Sequence, residues 1–173
     1  RAEITADWEV AFVGFSETGR YRVSATNQDA RTVLRVIDTT TGKDVAMPAL
    51  PSGDITSAVF SRDETKMGFL LTSDRTPRDL WVVDVAGGAP RQLTHALNPA
   101  VDPGDLVDSQ VVRYPSDDGL QIPAILYRPR DASPAHKVPA VVLVHGGPGG
   151  QSRCGYSELT QHLVNHGYAI LAV

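Results

Sequence analysis

The feature that most constrains the fold is an internal repeat within the first 108 residues. The turn segment that starts at Phe15 returns 45 residues later at Phe60, and the strand-like run that ends at Asp38 returns 46 residues later at Asp84. A repeat of this length with about four short strands is typical of a β-propeller blade. Two β-meanders from a sandwich are the alternative, but they have no reason to repeat turn and aspartate positions at one period. The sequence therefore predicts propeller blades.

Alternating apolar residues and turn signals predict four strands in each repeat. The expected strands of the first repeat lie around residues 8–12, 21–26, 33–38 and 45–50, and those of the second at 55–60, 66–71, 80–85 and 91–94. The strand at 45–50 has a weak pattern. We therefore expect an all-β region made of two four-stranded units.

Composition argues against several classes of protein. The formal net charge is −4, so no basic excess is available to contact the phosphates of a nucleic acid. The longest apolar runs hold five or six residues, whereas a membrane-spanning helix needs about 18. Cys154 is the only cysteine, which leaves no internal disulfide and no cysteine metal cluster. We expect neither a nucleic-acid nor a membrane partner.

The pattern changes after a linker-like stretch at residues 98–108, which is rich in proline and aspartate. Strand-like runs at 110–114 and 120–128 flank a turn that ends at Gly119, and together they indicate a β-hairpin. We place the domain boundary between the linker and residues 109–173, which belong to a second, truncated domain.

The second domain continues with a strand, a helix and a strand. The continuous apolar run Ala140–His145 predicts a strand buried on both faces. The segment Tyr156–His166 predicts a helix, which Gly167 ends. A further apolar run at 168–173 completes a unit with two parallel strands. Three residues are expected on one apolar face of the helix: Tyr156, Leu159 and Leu163.

A glycine-rich loop, His145-Gly146-Gly147-Pro148-Gly149-Gly150, follows the first of these parallel strands. In open α/β sheets the C-terminal edge of the strands is where ligands bind. Glycines there let backbone N–H groups approach a ligand, and Pro148 stiffens the turn without adding a donor. The loop lacks the spacing of a phosphate-binding motif. It resembles the turn after the third strand of α/β-hydrolases, which supplies half of an oxyanion hole.

A set of short motifs carries a more specific resemblance. In chain order these are Asp118-Gly119, Ile122-Pro123, Leu126-Tyr127-Arg128-Pro129, Val138-Pro139, His145-Gly146-Gly147-Pro148 and Gly167-Tyr168-Ala169. Their order resembles the prolyl oligopeptidase family of serine peptidases, closest to its acylaminoacyl-peptidase and dipeptidyl-peptidase branch. The resemblance covers the whole chain. It implies that residues 1–108 are the C-terminal blades of the propeller and that residues 109–173 begin the α/β-hydrolase domain.

The resemblance also implies a function. Family members hydrolyse short peptides through a Ser-Asp-His triad, and the propeller restricts access to the active site. Carried over by position, Gly147 supplies a backbone N–H to the oxyanion hole, while His145 and Gly146 shape the loop. Some branches have a tyrosine where this chain has His145, and its hydroxyl donates to the oxyanion. No cofactor and no metal are implied, and the expected partner is a short peptide substrate.

The nucleophile, acid and base of the triad are not expected in this chain. A Gly-x-Ser-x-Gly elbow is absent, and Ser152 is followed by Arg153 and Cys154 where the elbow needs a second glycine. We expect Ser152 to have a loop role. The chain also stops inside an apolar run, so we expect it to be a piece of a longer protein, inactive by itself.

Other residues could suggest further sites. His162 and His166 have a spacing that can bind a metal, but no third ligand is evident. Cys154 has no neighbour in sequence that would stabilise a thiolate, so a packing role is expected. Two other functions stay open: an esterase or other α/β-hydrolase with a propeller, and a propeller that binds without catalysis.

Overall fold

The computed structural model describes residues 6–147 and 149–173. They form two compact units. The first unit runs to Thr72 and resumes with Arg78–Ala96, and the second consists of Ser73–Pro77 with Leu97–Val173. By compactness, residues 97–108 therefore group with the second unit, and the domain boundary at residues 108 and 109 stays a prediction. None of the described helices is long and apolar enough to cross a membrane.

The first unit contains two four-stranded antiparallel sheets in which each strand pairs with the next along the chain. The strands of the first sheet are β1 (Glu9–Phe15), β2 (Tyr21–Gln28), β3 (Arg31–Asp38) and β4 (Lys43–Asp44). Those of the second sheet are β5 (Asp54–Phe60), β6 (Lys66–Thr72), β7 (Asp79–Asp84) and β8 (Arg91–Gln92). This is the meander of a propeller blade, repeated, so the prediction of blades is confirmed.

The repeat extends to details of the backbone. β1 carries an extra residue, Ala11, in its pairing with β2, and β5 carries one, Thr56, in its pairing with β6. The turns that follow place Gly19 and Glu64 in the left-handed region, at φ 77° and 59°. Each pair is 45 residues apart. A bulge and a left-handed turn at matching positions show that the two sheets are copies of one structural unit.

The core of the first unit is built from alternate residues of both sheets. Eight buried apolar residues form one cluster: Val23, Val36, Ile55, Met67, Phe69, Leu71, Val83 and Val85. Phe69 stacks on Trp81 with ring centroids 6.4 Å apart. Burying one such aromatic or aliphatic side chain contributes about 1.5–3 kcal/mol. The apolar residues that alternate along the strands therefore form one core shared by the two blades.

The fourth strand of the first blade differs from the prediction. The expected strand at Val45–Leu50 is absent, and β4 occupies only two residues before it. The Val45 N–H still donates to the Val36 carbonyl at 2.9 Å, but Pro48 and Pro51 have no N–H with which to continue a ladder. The prolines therefore disfavour a strand at residues 45–50, although the apolar residues there had suggested one.

The second unit contains a four-stranded sheet with the order β11-β12-β10-β9. Its strands are β9 (Gln110–Pro115), β10 (Gln121–Tyr127), β11 (Ala140–Leu143) and β12 (Ala169–Ala172), and α1 (Glu158–Asn165) connects the last two. β9 and β10 form the predicted hairpin, and β11 and β12 are parallel. Blades followed by the beginning of an α/β-hydrolase sheet are the predicted fold class, which is confirmed.

The burial of β11 differs from the prediction. The apolar run was expected to be covered on both faces, but β11 is the edge strand of the sheet. Val142 is 58% exposed, and Val144, just after the strand, is 76% exposed. The apolar sequence therefore does not correspond to burial among the described residues.

The helix α1 begins two residues later and ends one residue earlier than the predicted segment Tyr156–His166, and it turns a different face inward. The Ser157 side chain accepts a hydrogen bond from the Thr160 N–H, which caps the start, and Gly167 ends the helix at φ 86°. The predicted inner face is wrong, because Leu159 is 61% exposed. The buried residues are instead Thr160, Gln161 and Val164.

Candidate functional site

The glycine-rich loop leaves the sheet at the C-terminal ends of the two parallel strands. The Val173 N–H donates to the Leu143 carbonyl at 2.9 Å, and the His145 N–H donates to the Val173 carbonyl at 3.4 Å. The parallel ladder therefore continues one step beyond β11 and β12. The loop starts from this edge, where an open α/β sheet binds its ligands.

Gly147 has a backbone conformation that favours glycine. Its φ is +73°, and a Cβ built on it would meet nothing within 4 Å. A side chain there is thus opposed by backbone strain and not by lack of space. No described residue accepts a hydrogen bond from the Gly147 N–H. Pro148, which we expect to stiffen this turn, lies outside the described residues.

Gly150 folds back onto the start of the loop. A Cβ at Gly150 would lie 2.4 Å from the Gly146 carbonyl oxygen and 2.9 Å from His145 Nδ1. The Gly150 N–H donates to the Gly147 carbonyl at 3.4 Å. Gly150 thus lies close to the three predicted site residues, His145, Gly146 and Gly147, although the sequence gave it no role. The second Gly-Gly pair of the loop is the signal that could have revealed it.

Ser152 lies at the exit of the loop. Its hydroxyl donates to the Val173 carbonyl at 3.1 Å. This is the same carbonyl oxygen that accepts from the His145 N–H at the entry of the loop. The hydroxyl is therefore occupied in a contact with the sheet edge.

A buried polar network surrounds Asp74, which is only 2% exposed. Its carboxylate accepts hydrogen bonds from the Tyr127 hydroxyl at 2.9 Å, from the Ser109 N–H at 3.0 Å and from the Ser109 hydroxyl at 2.8 Å. Burial, together with the Asp74 charge and hydrogen bond, raises the pKa of the Tyr127 hydroxyl far above its usual value. Tyr127 is also 3.3 Å from the Gly155 carbonyl, just beyond the glycine loop.

Gln161 ties the helix α1 to the same network. Its side-chain carbonyl accepts from the Val107 N–H at 3.0 Å, and its amide donates to the Val107 carbonyl at 2.9 Å and to the Asp74 carbonyl at 2.8 Å. Cys154 is fully buried nearby, with Sγ 3.4 Å from the Ser109 hydroxyl. Through Cys154 and through the contact of Tyr127 with Gly155, the network reaches the segment that follows the glycine-rich loop.

The two helical histidines lie against each other. Their ring centroids are 4.1 Å apart, and His166 Nδ1 is 2.8 Å from the His162 carbonyl. The His166 ring therefore contacts the end of its own helix. Over residues 6–147 and 149–173, no group of three or more potential metal ligands is present.

Sequence comparison relates this chain to a known protein. No family model matches the chain. A dipeptidyl aminopeptidase BIII from Pseudoxanthomonas mexicana is 28% identical over 160 residues, which are 88% of this chain and 23% of that protein. The chain therefore spans about a quarter of that relative's length.

Solved structures share the fold. A structure from a study of two prolyl endopeptidases aligns over 97% of this chain and 24% of its own, with a TM-score of 0.76 and 19% identity. A puromycin-hydrolyzing peptidase of Mycobacterium tuberculosis aligns over 93% of this chain and 24% of its own, with a TM-score of 0.75 and 20% identity. The resemblance to the prolyl oligopeptidase family, which the motifs indicate, is thus confirmed by a relative in sequence and by the fold.

Proposed function

We propose that this chain is part of a serine peptidase of the prolyl oligopeptidase type, to which it contributes propeller blades and the oxyanion loop. The observation that carries the proposal is Gly147, whose amide follows a parallel strand at φ +73° and meets no acceptor among the described residues. In this role the Gly147 N–H donates to the oxygen of the scissile carbonyl. The Ser, Asp and His of the triad come from outside residues 1–173.

The loop acts at the step in which charge appears on the substrate. The triad serine hydroxyl attacks the carbonyl carbon, its proton passes to the triad histidine, and the carbonyl electrons move to oxygen. The new oxyanion receives a stronger hydrogen bond from the Gly147 N–H than the neutral carbonyl did, so the barrier falls. The C–N bond then breaks, and the histidine gives its proton to the leaving amine. The acyl-serine is hydrolysed by water in the same way.

His145 and Gly146 shape this donor and do not donate to the oxyanion. His145 occupies the position where some branches have a tyrosine, and its ring lies beside Gly150. The oxyanion hole of this chain therefore depends on backbone N–H groups. We expect the second donor to be the amide that follows the triad serine.

The substrate is proposed to be a short peptide with a free or modified amino end. The relatives are named as a dipeptidyl aminopeptidase, prolyl endopeptidases and a puromycin-hydrolyzing peptidase. Two other functions are outcomes of the same test. An esterase would hydrolyse simple esters and leave peptide amides intact, and a binding module would hydrolyse neither.

The test uses the full-length protein with dipeptidyl and acylaminoacyl arylamides and the matched esters. We expect Gly147→Val to lower kcat on the amide by about 100-fold or more, with a smaller effect on KM. Gly119→Val is the matched control, because Gly119 also has a positive φ, 85°, and open space around it, and it lies in the hairpin turn. The control separates backbone strain from loss of the donor.

Four results would count against the proposal. Hydrolysis of esters alone would favour the esterase, and no hydrolysis at all would favour the binding module. A normal kcat in Gly147→Val, or an equal loss in Gly119→Val, would remove the oxyanion role from Gly147.

A further inference from the structure

One carbonyl oxygen accepts a hydrogen bond from each end of the glycine-rich loop, here taken as residues 145–152. Val173 O accepts from the His145 N–H at the entry, at 3.4 Å, and from the Ser152 hydroxyl at the exit, at 3.1 Å. A carbonyl oxygen has two lone pairs and can accept both bonds. The Val173 N–H donates to the Leu143 carbonyl at 2.9 Å, so Val173 continues the parallel ladder beyond β12. The loop is therefore fixed to a rigid element at its two ends.

The interior of the loop is rich in residues that restrict the backbone little. It contains four glycines between His145 and Ser152, and glycine restricts the backbone least of all residues. Among the described residues of the loop, the internal backbone hydrogen bond is that from Gly150 to Gly147, at 3.4 Å. Because glycines restrict the backbone little, the direction of the Gly147 N–H depends on where the two ends of the loop are held.

We propose that Ser152 is a positioning residue for the oxyanion loop. Its hydroxyl fixes the exit of the loop on the sheet edge and, through the loop, sets the direction of the Gly147 N–H. This inference rests on the proposed function, because it assigns Gly147 as the donor. Ser152 does not touch substrate in this role, and it is not the nucleophile.

The role predicts a particular kinetic signature. The Gly147 N–H bonds the oxyanion more strongly than the ground-state carbonyl, so a misdirected donor costs more in the transition state than in substrate binding. We expect Ser152→Ala to lower kcat about five-fold, the size of one ordinary hydrogen bond. KM should change by less than about two-fold. Ser152→Thr keeps the hydroxyl and should restore kcat to near the wild-type value.

Ser157→Ala is the matched control. Ser157 lies five residues further on, and its hydroxyl also makes one hydrogen bond, accepting from the Thr160 N–H at 3.2 Å as the cap of α1. Its loss should lower the melting temperature through the helix and leave kcat unchanged. A general loss of stability near the loop is in this way separated from a loss of positioning.

The experiment measures four quantities in the full-length enzyme and the three variants. They are kcat and KM on a peptide arylamide, the Ki of a peptidyl boronic acid that forms a tetrahedral adduct with the triad serine, and hydrogen exchange of residues 145–152. In Ser152→Ala we expect the Ki to rise by the same factor by which kcat falls, and exchange in the loop to become faster. Wild-type behaviour should return in Ser152→Thr.

The inference and the proposed function fail in different ways. A wild-type protein that hydrolyses no peptide amide would contradict the proposed function. With an active wild type, an unchanged kcat and Ki in Ser152→Ala would overturn the positioning role. The same holds for a loss that Ser152→Thr does not restore, or that Ser157→Ala reproduces. Unchanged hydrogen exchange in Ser152→Ala would overturn it independently of activity.

Discussion

A single methyl group at Gly150 tests how closely the proposed oxyanion loop, residues 145–150, must fold back on itself. In Gly150→Ala the new Cβ would lie 2.4 Å from the Gly146 carbonyl oxygen and 2.9 Å from His145 Nδ1, whereas ordinary contacts begin near 3.4 Å. The carbonyl belongs to the main chain and has no side-chain torsion by which to turn aside. The loop must therefore open by about 1 Å at this point.

The cost follows from the sensitivity of catalysis to position. A catalytic group displaced by about 1 Å can lose roughly 100-fold in rate, which equals about 2.7 kcal/mol of transition-state stabilisation. We expect Gly150→Ala to lower kcat of the proposed full-length peptidase by about this factor. KM should change less, because the displaced donor acts chiefly on the charged transition state.

The matched control is the neighbouring glycine. A Cβ at Gly149 would meet nothing within 4 Å, and its φ is not in the left-handed region. Gly149→Ala should therefore keep kcat within about two-fold of wild type, since a glycine-to-alanine change at a compatible site mainly affects the unfolded chain. Steady-state kinetics on a peptide arylamide measure both variants, and circular dichroism checks that both are folded.

Two results would refute this reasoning. If Gly150→Ala kept kcat within about three-fold of wild type, the close approach would not hold the donor in place. If Gly149→Ala lost as much activity as Gly150→Ala, the loss would come from any added side chain and not from the contact with Gly146.

The remaining predictions concern the buried network. Gln161→Leu removes three hydrogen bonds with the Val107 and Asp74 main chain, so we expect the free energy of unfolding to fall by about 3 kcal/mol. Gln121→Leu, at an exposed strand position, should change it by less than about 0.5 kcal/mol in the same denaturant titration. Burial and Asp74 raise the pKa of Tyr127 in the folded state, so the stabilisation is complete below pH 10, the unfolded pKa, and is lost as pH rises towards the folded pKa. Stability measured from pH 8 to 11 should therefore fall less steeply in Tyr127→Phe, and equal slopes would contradict the assignment.

The blades could be predicted because their turn chemistry repeats in the sequence. Phe15 and Phe60 precede matching turns, and Asp38 and Asp84 end matching strands. The left-handed position of the second turn gave no such signal, because it is occupied by Glu64 where the first turn has a glycine. The repeat thus predicted the architecture. It did not predict the left-handed backbone at position 64, because glutamate does not indicate a positive φ as glycine does.

The inner face of α1 could not be predicted from hydrophobicity. Periodicity ranks Leu159 above Gln161, yet Gln161 is buried because three hydrogen bonds offset the cost of taking its amide out of water. Its partners, Val107 and Asp74, are 54 and 87 residues away. No local pattern indicates a pairing across such a separation.

The candidate site was partly predictable. The glycine motif after an apolar strand identified the loop and the residue expected to donate. The contact of Ser152 with Val173 could not be read, although two parallel strands were expected. The register of β11 on β12 and the path of the loop decide which carbonyl lies beside the serine hydroxyl. The close approach of Gly150 depends in the same way on the path of the loop in space.

The position of Ser73–Pro77 has a consequence for how this chain can be divided and how it folds. A cut between Ala96 and Leu97 would remove Asp74 from the second unit, and the buried groups of Ser109, Tyr127 and Gln161 would lose the hydrogen bonds they make with it. A piece that starts at Leu97 should therefore be less stable unless the five-residue segment is added back, for example as a peptide. During synthesis the ribosome makes this segment first, and its partners emerge 35, 53 and 87 residues later. Completion of the second unit therefore waits for α1 to leave the ribosome, even if the strands of the blades have already paired.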